Sequence, residues 1–162
     1  MKRRLICCLL VLCLVLGLGG CYDGGPLRSV SDVLGVNLAN GAVLQNVDTH
    51  SGVQNDGVYV LTLEFGGAYG AEAATQIAAN TQWRTLPLTD PLRQAAETLL
   101  LGEDGERYIP EVETGYYFFL DRHSQATDPA DDSGLFSRPS FNFTLAVYDT
   151  QSNRLYYCVL DT

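Results

Sequence analysis

Residues 141–160 constrain this chain more than any other stretch, because they read as one β-hairpin. Phe141, Phe143, Leu145 and Val147 alternate with their neighbours and share one face. Asp149-Thr150-Gln151-Ser152-Asn153 is a run of turn formers. Residues 154–160 then return as a second apolar strand. A strand pair joined this closely commits the chain to antiparallel sheet.

Other segments extend the pattern. Residues 42–47 read as a strand, Asn55-Asp56-Gly57 as a turn, and residues 58–65 as a strand in which Tyr59, Leu61, Leu63 and Phe65 alternate with their neighbours. Gly66-Gly67 breaks that strand, and the alanine-rich residues 69–79 predict a helix ended by Asn80. Residues 83–88 read as extended. Thr89-Asp90-Pro91 is a helix start with a capping residue and a proline in the first turn. Leu92, Ala95, Ala96, Leu99 and Leu100 then fall on one helix face, and Gly102 ends the helix. Residues 103–113 form an acidic loop, 116–120 a strand and 121–140 a polar loop. Ser31 is placed to cap a short helical turn ended by Gly35. The expected fold is α+β: a single compact domain, mainly antiparallel sheet, with two helices on one face.

The N-terminus carries a different kind of signal. Lys2, Arg3 and Arg4 precede an apolar run over residues 5–18, which is 14 residues long and shorter than the ~20 needed to span a bilayer core. Leu18-Gly19-Gly20-Cys21 closes it. This has the shape of a secretory signal ending in a lipobox, with Cys21 as the lipidated first residue of the mature chain. The expected organisation is a signal peptide over 1–20, a flexible tether over 21–30 and one domain over 31–162.

Processing would change composition in two ways. Removing 20 of the 162 residues leaves 142, one domain of ordinary size. Removing three of the ten basic residues leaves seven against 19 acidic ones, a net −12. Such a chain repels phosphate backbones and anionic headgroups, which excludes nucleic acid as a partner and leaves lipid as the hold on the membrane. Cys158 would be the one cysteine left besides Cys21, which excludes an intramolecular disulfide. Its apolar surroundings predict a buried, inert thiol.

Two segments repeat a local pattern: Asp48-Thr49-His50-Ser51 and Asp121-Arg122-His123-Ser124, each after an expected strand. They contain both histidines of the chain. In extended backbone the Asp and His of each share a face, so each Asp is expected to reach its own histidine. If both strand ends met at one sheet edge, Asp48, His50, Asp121 and His123 would suit zinc or a similar divalent cation. The competing reading makes them capped loop starts, in which each Asp bonds nearby backbone N–H groups. Asp128, Asp131 and Asp132 do not follow the calcium-loop alternation and read as solvated loop. The Gly66–Gly70 stretch lacks the lysine and the spacing of phosphate loops.

Asp48-Thr49-His50-Ser51-Gly52, Trp83-x-x-Leu86-Pro87-Leu88, Tyr117-Phe118-Phe119-Leu120-Asp121-Arg122-His123-Ser124 and the run from Asn142 to Thr162 together resemble an uncharacterised family of small bacterial lipoproteins and secreted proteins. The resemblance runs from about Ser31 to Thr162, departs at Ser51, and implies a single domain and no activity. The expected function is that of a lipid-anchored, extracytoplasmic, non-enzymatic binding or structural module. It would sit on the cell membrane or outer membrane, without a cofactor, with an envelope protein as its partner. The alternative is a metal-dependent or histidine-assisted hydrolase built on the two Asp-x-His-Ser segments.

Overall fold

In chain order the elements are α1 (Gly25–Leu34), β1 (Ala42–Asp48), β2 (Gly57–Glu64), α2 (Gly67–Ala79), β3 (Trp83–Thr85), α3 (Asp90–Thr98), β4 (Gly115–Asp121), a 3-10 turn (Leu135–Ser137), β5 (Asn142–Asp149) and β6 (Arg154–Asp161). They come from a computed structural model that describes residues 25–52 and 55–162. The strands form one sheet in the order β1-β2-β6-β5-β4-β3, antiparallel throughout. The expected hairpin lies at its centre, with β5 and β6 in register from Asn142↔Asp161 to Asp149↔Arg154.

The central strands explain how the helices are distributed. Every residue of β5 between its two ends is buried. Phe143, Leu145 and Val147 point to one side, and Ala146 and Tyr148 to the other. Both faces therefore need cover, unlike the common antiparallel sheet that leaves one face to water. On the first face α1 and α2 lay Val30, Leu34, Ala73 and Ile77 over Leu61, Leu63, Tyr148 and Leu155. On the second, α3 and the segments after it lay Leu92, Ala95, Leu100, Ile109 and Leu135 over Phe143, Leu145, Val147 and Cys158.

The α+β expectation holds, and its finer detail is corrected. The two helices expected together, α2 and α3, cover opposite faces. An amphipathic stripe shows that a helix has one apolar side, but it does not say which side of a doubly buried sheet receives it. A third helix, α1, takes up residues 25–30 of the expected tether. Leu27, Val30 and Leu34 recur at helical spacing and pack into the first core. Ser31 accordingly sits inside α1 rather than at its start, and its Oγ accepts from the Leu38 N–H at 3.2 Å. The expected signal peptide and Cys21 lie outside the described residues.

Local contacts lock the helices onto the sheet. The Trp83 indole N–H and the Asn80 side-chain amide both donate to the Leu34 carbonyl, at 3.0 and 3.1 Å, and so satisfy an orphan acceptor at the end of α1. Gly35 follows with φ +62, the left-handed step that commonly ends a helix. The β5–β6 turn is clasped in a similar way. Tyr148 Oη donates to the Gly70 carbonyl at 2.9 Å. A Cβ on Gly70 would lie 2.5 Å from the Asn153 side chain, so only glycine lets α2 approach this closely. Thr89 caps α3 as expected, accepting from Leu92 N–H at 3.4 Å, and its own hydroxyl donates to Asp132 at 2.6 Å.

Trp83→Phe tests the indole contact. The ring still fills the core beside Phe118, and the Leu34 carbonyl keeps the Asn80 donor but loses the indole one. Urea denaturation should show a loss of about 0.5–1.5 kcal/mol, and an unchanged midpoint would refute this role.

Candidate functional site

Both Asp-x-His-Ser segments do leave the sheet at the same end, the first after β1 and the second after β4. Their histidines nevertheless stay apart. Strands β2, β6 and β5 intervene, and four spacings of ~4.8 Å put β1 roughly 19 Å from β4. Among the described residues, no three His, Cys, Asp or Glu side chains are placed to hold a metal ion. The expectation that Asp48, His50, Asp121 and His123 form one cation site is therefore corrected by the strand order. The shared-site hydrolase requires that convergence and loses its geometric basis.

What each segment builds is different. Asp48 Oδ1 accepts from the backbone N–H of His50 at 3.0 Å and also lies 2.6 Å from its Nδ1. The other ring nitrogen, Nε2, lies 3.3 Å from Asp161 Oδ2 at the end of β6. Asp161 in turn meets Arg122 at 2.9 Å, and the guanidinium also donates to the carbonyls of Phe143 and Leu160. Asn142, with its amide nitrogen turned toward the carboxylate, adds a donor to Asp161 at 3.1 Å. The result is a row of polar contacts, Asp48–His50–Asp161–Arg122, tying together the ends of β1, β6, β5 and β4. Both His50 contacts are hydrogen bonds only when both ring nitrogens carry protons. Both ring nitrogens thus face a carboxylate of this chain.

Gly57 makes the turn at His50 feasible. A Cβ there would lie 2.5 Å from the backbone N and Cα of His50. The hydrogen bonds from the His50 side chain, then from its backbone, hold the Asp48 carboxyl below its ordinary value.

The second segment is turned inward. Asp121 Oδ1 accepts from the backbone N–H of His123 at 3.0 Å, and its Oδ2 meets Arg138 at 2.7 Å. That pair is deep, with side chains only 4% and 9% exposed. Asp121 thus binds the backbone of its histidine and not the ring, contrary to the expected Asp–imidazole contact. The ring is held elsewhere. Nδ1 of His123 accepts from Gln125 N–H at 3.1 Å, so in the neutral form the proton sits on Nε2 and faces Ser140 Oγ, 3.1 Å away. Both segments match the reading of capped loop starts.

The remaining sequence candidates resolve in the same direction. Asp128 and Asp131 each accept a backbone N–H two residues on, from Ala130 and Ser133. Asp132 is not solvated but buried against the cap of α3. Cys158 is fully buried and its thiol pKa is pushed up by desolvation, which keeps it unreactive. Gly67 has φ +49 and serves the turn from β2 into α2. The residues that sequence reasoning missed are Asp161, Arg138 and the ion-pair role of Arg122. Asp161 lies 111 positions from His50, and no local signal links them.

Two openings flank this end of the sheet and its loops. One is an open polar groove lined by Asn55, Asp56, Arg122, Asn142, Asp161 and Thr162. The other lies in the 121–140 loop, around Asp121, Asp128, Asp131 and Arg138. A third and more apolar cleft of about 160 Å³ lies away from them, between α3 and the 107–112 segment.

Against known proteins, the chain matches no family model, no curated protein and no solved structure.

Two substitutions separate the two segments. Asp121→Ala strands a buried Arg138 charge and should cost about 3–5 kcal/mol. Asp48→Ala removes an exposed partner and should cost about 0.2–1 kcal/mol. The double variant should show the sum within about 0.5 kcal/mol, since the sites share no partner. Equal costs in denaturant titrations would contradict this division.

The lowered Asp48 value also sets a pH dependence. Its contribution is complete above the ordinary carboxylate value of 3.8 and disappears as pH falls through the lower folded value. The stability difference between wild type and Asp48→Ala should therefore persist at neutral pH and close in strong acid. A difference that widens in acid would reverse the assignment.

Proposed function

We propose that this protein is exported and held by lipid at Cys21 on the outer face of a cell membrane or outer membrane, where it acts as a non-enzymatic binding or structural module with an envelope protein as its partner. The observation that carries the address is the N-terminal sequence: three basic residues, a short apolar run, and Leu18-Gly19-Gly20-Cys21. A diacylglyceryl group supplies the two chains that stable anchoring needs. Among the described residues no helix is long and apolar enough to cross a membrane. From Cys21 to the first residue of α1 the chain reaches at most ~14 Å, so a lipid at Cys21 would hold the domain against the bilayer surface.

Support for the non-enzymatic reading comes from the occupied histidines. His50 is spent between two carboxylates, and His123 between a backbone N–H and a serine hydroxyl.

Intact-mass analysis of protein extracted from its own membranes tests the address. The expected species begins at Cys21 and carries added lipid, and Cys21→Ser should release or leave unprocessed a chain that no longer fractionates with membranes. An unmodified Cys21 thiol in the native protein would refute the proposal.

A further inference from the structure

We propose that the cleft between α3 and the acidic segment 103–113 docks a basic, extended stretch of a partner protein through one aliphatic or aromatic side chain. This deepens the binding-module reading and rests on it, but does not depend on the lipid. The cleft measures about 160 Å³, and Leu86, Leu88, Ala96, Ile109, Val112 and Val147 give it an apolar lining. An apolar cavity of ~150 Å³ takes a benzene ring, so there is room for one side chain and not for a larger ligand.

The cleft is preformed. Leu86 N–H donates to the Gly115 carbonyl at 3.1 Å and Tyr108 N–H to the Leu100 carbonyl at 3.0 Å. An isolated bridge joins Leu101 to Arg107, which closes the acidic segment back on itself. Pro87 and Pro110 stiffen the lining. A rigid cleft loses little entropy on binding.

Charge selects the occupant. Two arginines line the cleft, and each is already neutralised by this chain. Arg93 meets Asp90 at 2.5 Å and Arg107 meets Glu97 at 3.5 Å. Glu111 on the same rim has no ion-pair partner among the described residues. Segment 103–113 holds five carboxylates against one arginine. An apolar socket beside a net negative strap attracts lysine or arginine flanks and seats an uncharged anchor between them. A second copy of the mature chain, at net −12, would meet this strap with like charge and is disfavoured.

The probes are fluorescein-labelled Lys-Lys-Leu-Lys-Lys and its Phe-, Ala- and Glu-flanked counterparts. They are titrated against the full chain in nanodiscs of zwitterionic lipid. The Leu and Phe peptides should bind saturably, on the order of tenfold or more tighter than the Ala peptide, and should weaken as salt is raised. The Glu-flanked peptide should not bind. Val112→Trp, which fills the cleft, should weaken the Leu peptide by about tenfold. Glu111→Arg, on the exposed rim, leaves the core untouched and should weaken it by about threefold with a shallower salt dependence. If Val112→Trp fails to fold, as read by circular dichroism, the Glu111 variant and the Leu-against-Ala comparison still decide. Equal binding of the Leu and Ala peptides, or no binding at all, overturns the cleft. Binding of the Leu peptide that ignores both variants also overturns it, while leaving the broader binding-module reading in place. The anchor is read independently, by mass at Cys21.

Discussion

Burial of both faces of the β5–β6 hairpin is the constraint on which the rest of this structure depends. Phe143, Leu145 and Val147 on one side of β5, and Ala146 and Tyr148 on the other, leave no face for water. The chain satisfies this by sending α1 and α2 to one side and α3 with its following loop to the other. Each helix is then fixed by a specific polar contact: Trp83 on the α1 end, Tyr148 on Gly70 of α2, and Asp132 on the cap of α3. The edges follow the same logic. Strand β3 is only three residues long, and β1 carries an irregularity between Val43 and Gln45. Short and bulged edges discourage sheet-to-sheet pairing, which suits a protein with so apolar a centre.

The polar groups at one end of the sheet form a structural seam. Antiparallel order brings the end of β1, the end of β6, the start of β5 and the end of β4 to one line, and polar side chains run along it from Asp48 through His50 and Asp161 to Arg122. The buried Asp121–Arg138 pair anchors the long loop beside it. Histidines held in this way tie strand ends to their neighbours. The apolar cleft lies on the second face, away from the seam and beside the most acidic segment, where recognition of a cationic partner has both an anchor and a field.

Much of this was legible in the residues. All the longer strands and α2 occupy the expected stretches, because period-2 and helical spacing are local properties, whereas α3 ends at Thr98, short of the expected stop at Gly102. The Asp48 contact to its own histidine was legible for the same reason, since residues two apart in extended chain share a face. Asp121 shows the limit of that rule. The same spacing put its carboxylate on the His123 backbone only, because the ring is held instead by Gln125 N–H and Ser140 Oγ. The α1 helix was hidden by its Gly- and Pro-containing start, which reads as linker until Leu27 and Val30 find a core to pack on.

By itself the sequence determined the kinds of element, the antiparallel sheet and the N-terminal pattern that proposes an address, since each rests on neighbours along the chain. Only the tertiary structure decided which face each helix covers, that His50 pairs with Asp161 rather than with His123, and that a cleft opens beside the acidic segment. Those outcomes depend on strand order and on burial at both faces. Strand order brings together residues as far apart as His50 and Asp161, and no local periodicity encodes it.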